Sequence, residues 1–134
     1  PFVREKMQEA FNITKAHLLA QNAKCMNETG MCCYRNAGLK CAVGALIPDE
    51  DYTEKMEGRF ANSSMVMDVL FKRFNLADSV GKELSPFIIM LLDIQSTHDT
   101  YSVSTWESRL REIALLYELS YGEEITEPTS EIKL

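Results

Sequence analysis

The chain has no apolar run near the roughly 20 residues that span a bilayer. Its longest, Pro86 to Leu92, is about a third of that length. No segment has the basic, apolar and small-residue order of a signal peptide. There is no basic excess: 14 Lys and Arg stand against 20 Asp and Glu, a net charge of −6. That balance excludes a nonspecific nucleic-acid binder. The phosphate-cradling patterns GxxxxGK[ST] and GxGxxG are missing. CxxC is missing too, so the four cysteines do not spell the familiar zinc knuckle. No internal repeat is present. Together these absences argue against a membrane span, a dinucleotide fold and a solenoid.

What is present describes a globular domain. The 134 residues are 46% hydrophobic and 25% charged, enough for one domain with a core of its own. That core makes disulfide staples unnecessary, so the cysteines are expected reduced in a cytoplasmic setting. The chain opens on Pro1 rather than Met, from which residues upstream are expected. Charge is uneven. Residues 1–40 hold six basic and three acidic side chains, net +3, so the remainder is strongly acidic. The asymmetry permits a homo-oligomer built on opposite charges, with plain solubility as the competing reading.

Periodicity predicts a mainly α (α+β) fold of four to five helices around a central apolar helix, with one small β-hairpin. Residues 1–120 form the helical domain and 121–134 an acidic, loose tail. The first helix is predicted over 3–24, with Val3, Met7, Ala10, Phe11, Leu18 and Cys25 on its apolar side. His17 lies on a solvated flank. A hairpin is predicted near 32–41 around Asn36-Ala37-Gly38. Cys41 to Ile47 is either strand continuation or a short buried helix, ended by Pro48. Asn62-Ser63-Ser64 supplies N-cap candidates for a helix to Asn75. Asp78 to Leu84 reads as a further turn or short helix. Ser85-Pro86 reads as the start of the central helix, and Ser104-x-x-Glu107 as a capping box for the last one.

The densest chemistry lies between Cys32 and Gly58. Four thiols, Cys25, Cys32, Cys33 and Cys41, could hold zinc, although C-x6-C-C-x7-C is an unfamiliar spacing. Adjacent cysteines in a strand also point to opposite faces. The reading preferred for them is small buried apolar side chains, with no metal and no cofactor expected. Cys41 at a helix start, with His98 and Asp99, could form a cysteine hydrolase, with Gln95 one turn from Asp99 as a holding group. Against it, no glycine-rich oxyanion element is evident, and His98 suits the C-terminal end of a helix. Tyr34, Arg35 and Lys40 could clamp a phosphate or a small nucleotide. Arg35 could equally bridge to Asp49, Glu50 or Asp51. A functional surface is therefore expected on Tyr34, Arg35, Lys40, Asp49, Glu50 and Asp51, taken as exposed. The seven methionines add adaptable contact area.

Three segments carry a resemblance: Cys33 to Gly58 with its GLKCAVGALIPDEDYTEKMEG run, Gln95 to Asp99 with QSTHD, and Trp106 to Leu119. Together they cover about half the chain and resemble an uncharacterised family of small proteins encoded by bacteriophages and bacterial genomes. The GLKCAVGALI core is also similar to the CALGAL element of another bacterial family. The resemblance implies a phage or mobile-element origin and assigns no catalytic residue. Its implication is an accessory protein of the host cytoplasm that binds a host protein, with blocking of a bacterial defence system as one form. The alternative is a nucleotide-binding protein or cysteine-dependent hydrolase using Cys41, Arg35 and His98. Of the two, binding without catalysis is the expectation.

Overall fold

Apolar side chains three and four residues apart build the first helix, α1 (Phe2–Gln21), which buries Met7, Ala10, Phe11, Thr14 and Leu18. The computed structural model describes residues 2–77 and 81–122, apart from the Glu83 side chain. α1 ends three residues before the predicted boundary. Asn22 takes a left-handed conformation at φ 52°, and its N–H bonds the Leu18 carbonyl at 2.9 Å. Asparagine tolerates that conformation at a helix end. Cys25 therefore lies in an extended connection rather than on the helix.

Two short strands follow, β1 (Arg35–Asn36) and β2 (Leu39–Lys40), paired antiparallel with Arg35 opposite Lys40. The turn uses Ala37 at φ 52° and Gly38 at φ 84°, the two positive φ values of a tight two-residue hairpin. Glycine accepts this freely and alanine does not. Ala37→Gly is accordingly expected to stabilise the chain by about 0.5–1 kcal/mol in a urea titration. A loss of stability would show that Ala37 is not held left-handed.

The run after the hairpin is helical: α2 spans Ala42–Leu46. α3 (Ser64–Arg73) is capped by Ser63, whose Oγ accepts from the Val66 N–H. α4 (Gly81–Thr100) packs on α1, α2 and α5 (Trp106–Leu116), so the apolar helix is the central one. Phe87, Met90, Leu91 and Ile94 are buried within it, while Ile89 faces outward.

Two sequence expectations fail at helix starts. α4 begins at Gly81, and Pro86 lies inside it. Extending the helix by a turn brings Leu84 into the core on the face that carries Phe87, and that burial outweighs one lost backbone bond at an exposed proline. Residues 78–80 of the segment predicted between the two helices lie outside those described. At α5 the capping box is not made. The chain turns through a single 3₁₀ turn, Val103–Thr105, and the N-cap is Thr105, without a side-chain bond. Ser104 Oγ instead meets Ser102 Oγ at 3.3 Å. Trp106, Leu110, Ile113 and Ala114 are the buried stripe of α5.

The predicted tail lies outside the described residues from 123 onward. Tyr121 is part of the packed structure. Its ring meets Phe11 edge-on at 6.3 Å, with the Lys15 ammonium 3.9 Å from its centroid.

Candidate functional site

The site grows from the connection between α1 and the hairpin. Asn27 Oδ1 accepts from the Thr29 N–H and the Met31 N–H, each at 3.0 Å, closing a turn. The returning chain pairs with the outgoing one: the Cys33 N–H bonds the Cys25 carbonyl at 3.0 Å, and Met26 opposes Cys32 in an isolated bridge. The ladder stops there because the Cys25 N–H turns away to His98 Nε2 at 2.8 Å. From the other side α1 clamps the hairpin. Gln21 Oε1 accepts from the Lys40 N–H at 3.0 Å, and Gln21 Nε2 donates to the Lys40 carbonyl at 2.8 Å. His17 Nε2 lies 2.9 Å from that carbonyl. His17 is thus a clamp residue, not the solvated flank histidine the periodicity suggests.

Gln95, His98 and Asp99 form one network at the end of α4. His98 Nδ1 lies 2.7 Å from Asp99 Oδ1, and Gln95 Nε2 donates to the same oxygen at 2.9 Å. Gln95 Oε1 accepts from the Val43 N–H at 2.9 Å. That satisfies one of the donors a helix leaves free in its first turn. Because a backbone N–H donates to Nε2, that nitrogen holds a lone pair, and the hydrogen-bond network assigns the ring proton to Nδ1, facing Asp99. The ring is fully buried and stacks on Trp106 at 5.6 Å, with 29° between planes. Both nitrogens are occupied by structural partners.

Cys41 takes the other end of this network. It is the N-cap of α2, with Sγ accepting from the Gly44 N–H at 3.3 Å. Burial pushes its thiol well above the ordinary range, against smaller opposing contributions from Gly44 and Gln95. The neighbour of Cys41 in the network is Gln95 rather than His98. Cys41, His98 and Asp99 come into one region without forming a nucleophile, base and orienter. Among the described residues no hydrogen bond joins Cys41 to His98.

The second group assembles as a structural tie. Arg35 reaches Asp49 at 2.8 Å and Lys40 reaches the same carboxyl oxygen at 3.7 Å. Arg35 also donates to the Ile47 carbonyl at 2.6 Å and lies over the Tyr52 ring at 4.8 Å. Both cations that could meet a phosphate thus share one carboxylate. Glu50 is exposed, and the Asp51 N–H closes the 3₁₀ turn on the Pro48 carbonyl at 2.9 Å. Tyr34 corrects the expectation of an exposed ring. It is 5% exposed, and its hydroxyl donates to the Arg59 carbonyl at 2.6 Å. A side chain of that size at the hairpin entrance fills core volume, and burial raises its phenol above the usual range.

Glu57 is the residue the sequence reading passes over. Oε1 accepts from the Tyr34 N–H at 2.9 Å, and Oε2 from the Arg35 N–H at 3.1 Å and the Tyr52 hydroxyl at 2.6 Å. One carboxylate closes the open edge of β1 and ties it to the segment before Gly58. An acid followed by glycine gives no hint of this, because the two groups of the hairpin that it holds are backbone N–H groups more than twenty residues away.

The thiols and this carboxylate meet at a cleft of about 370 Å³. Cys32, Cys33, Glu57, Gln95 and Asp99 line it, with Met31 and Phe60 also on its walls. A second hollow, of about 400 Å³, continues past Cys32, Cys33 and Glu57 toward Arg35 and Tyr52. Phe60 is 83% exposed and Met31 65% exposed. Burial lifts the Cys32 thiol to about 11, helped by the negative charge of Asp99. Burial and then Cys33 lift Cys25 to about 12, and burial raises Cys33 as well. None of these is an activated nucleophile.

The zinc tetrad Cys25, Cys32, Cys33 and Cys41 does not converge on one point. Among the described residues the cluster with metal-ligand spacing is Cys32, His98 and Asp99, whose donor atoms lie within 4.8 Å of one another. A metal on His98 Nδ1 would require the proton on Nε2, where it would face the Cys25 N–H. The cluster is therefore built to carry a proton on Nδ1, not a metal. Comparison of the chain with protein-family models, curated proteins and solved structures finds no match.

Proposed function

We propose that the chain is a binding protein that engages another protein through the rim of this cleft. The observation that carries the reading is the pair of large apolar side chains, Met31 and Phe60, exposed on the walls of one recess. Exposed apolar side chains gathered at one concavity mark interaction sites more often than scattered ones do. Adaptable methionine and rigid aromatic side chains suit that role. The resemblance to the phage and bacterial family supports placing it as a phage or mobile-element accessory protein in the host cytoplasm. Its partner is then a host protein, with a bacterial defence component as the form of target. No helix among the described residues is long and apolar enough to cross a membrane.

A second reading has one observation in its favour: the cleft volume lies in the range of small-molecule sites. Its lining carries Glu57 and Asp99 against one cation, Arg59, a net negative balance that favours an uncharged or cationic ligand over a nucleotide. The hydrolase reading draws no support from a buried Cys41 thiol and a His98 whose nitrogens are both engaged.

The test is capture from bacterial lysate with the native chain and with Phe60→Asp combined with Met31→Asp. Both positions are exposed, so the variant is expected to melt within about 2 °C of the native chain, as surface changes of under 0.5 kcal/mol do. One host protein is expected with the native chain and at least tenfold less with the variant, since central interface anchors contribute about 2 kcal/mol or more. Equal recovery by both chains, or recovery of nothing, overturns the reading.

A further inference from the structure

We propose that Cys25 and Cys33 form a reversible oxidation site, closed into an intrachain disulfide by a peroxide or by an oxidised low-molecular-weight thiol. The two sulfurs are 3.4 Å apart, and a disulfide needs about 2.05 Å. The backbone around them is already paired, through the Cys33 N–H on the Cys25 carbonyl and the Met26–Cys32 bridge. Closure therefore asks for side-chain rotation rather than chain movement. Access is one-sided. Cys33 lines both hollows of the cleft, whereas Cys25 has no exposed surface. The neighbouring Cys32 lies beside Asp99 and forms its side-chain bond there, away from the pair.

The chemistry balances with peroxide as the oxidant. The Cys33 thiolate attacks the O–O bond and becomes a sulfenic acid, and the expelled hydroxide takes a proton to give water. Cys25, its proton passed to solvent, attacks the Cys33 sulfur and expels the second hydroxide. Two thiols and one peroxide yield one disulfide and two waters, with two electrons passing from sulfur to oxygen. The Cys25 S–H has two acceptors in reach, Cys33 Sγ and the Leu39 carbonyl, each at 3.4 Å. Turned toward Cys33 it stabilises a thiolate there, and Cys33 is the sulfur that lines the cleft, so Cys33 is the first to react. Burial holds both thiols high, so closure at neutral pH is slow and the pair resists casual oxidation. Cys33 forms part of the cleft wall, so closing the pair draws that wall inward and alters the recess.

The experiment treats the full reduced chain with excess hydrogen peroxide at neutral pH, then digests it without reductant. Cleavage after Glu28 separates Cys25 from Cys32 and Cys33. The expected product is a disulfide-linked peptide pair that dithiothreitol reverses. Cys32→Ser is expected to leave its yield within about twofold, and Cys33→Ser to cut it at least tenfold, because only one of the neighbours faces Cys25. In Cys25→Ser, a sulfenic-acid probe is expected to label Cys33. If that variant fails to fold, the other two and the native chain still decide the matter. A Cys32–Cys33 link, a link between chains, a yield that depends on Cys32, or Cys33 sulfinic acid beside a free Cys25 overturns the proposal.

Discussion

Gly44→Ala is expected to lower the unfolding free energy by roughly 3 kcal/mol or more, at the upper end of overpacking penalties. A Cβ at this position would lie 2.2 Å from the Tyr34 carbonyl oxygen and 3.0 Å from its carbon. The obstacle is backbone, and it cannot give way. The Tyr34 carbonyl accepts from the Cys41 N–H at 3.2 Å, its N–H is held by Glu57, and its ring is buried. Alanine's better helix propensity returns only about 1 kcal/mol. Gly38→Ala is the control. Nothing lies within 4 Å of its Cβ, and its φ of 84° costs alanine about 1–2 kcal/mol. Urea unfolding followed by circular dichroism compares the two. A Gly44→Ala chain as stable as the native one would mean that α2 does not approach the hairpin this closely.

His98→Ala is expected to cost about 3–5 kcal/mol. Loss of a buried ring leaves a cavity against Trp106, and the Cys25 N–H loses its acceptor, itself a penalty of about 1–3 kcal/mol. Small domains hold about 5–15 kcal/mol in all, so the variant is expected to be partly unfolded at 37 °C. Asp99→Ala is expected to be milder, about 1–3 kcal/mol: it takes the acceptor from the buried His98 Nδ1–H but removes an exposed carboxylate and opens no core cavity. The contrast separates a structural histidine from a catalytic dyad, where both substitutions would spare the fold. Equal and negligible effects on stability would contradict the structural assignment.

The helices and the hairpin were legible because their signals are local. The apolar stripe of α5, the cap at Ser63 and the Ala37-Gly38 turn each lie within a few residues of what they specify. The failures share a different cause. Pro86 is locally a helix start, yet Leu84 binds the preceding turn to a core formed by distant residues. Ser104 and Glu107 have capping-box spacing, yet the chain enters α5 through a 3₁₀ turn that holds Ser104 on Ser102. Tyr34 has a polar tip that suggests a surface, yet its hydroxyl finds the Arg59 carbonyl inside.

The candidate site divides the same way. A bridge from Arg35 to the acidic turn was readable, since a guanidinium there has few better partners, but not that Asp49 rather than Glu50 or Asp51 would make it. The place of Gln95 between Val43 and Asp99 was half readable, because one-turn spacing puts it beside Asp99 but says nothing of α2. Glu57 and the Met31 and Phe60 walls were not, because each depends on long-range backbone approach. The Cys32 to Gly58 segment, dense in reactive side chains, uses most of them to hold a hairpin, a short helix and a turn against α4.

The most direct measurement is the tautomer of His98 together with hydrogen exchange at Cys25. A long-range proton–nitrogen correlation spectrum at neutral pH is expected to show the ring proton on Nδ1 and none on Nε2, with the Cys25 amide exchanging only on global unfolding. A proton on Nε2 with a rapidly exchanging Cys25 amide would contradict the structural role and return His98 to candidacy as a catalytic base.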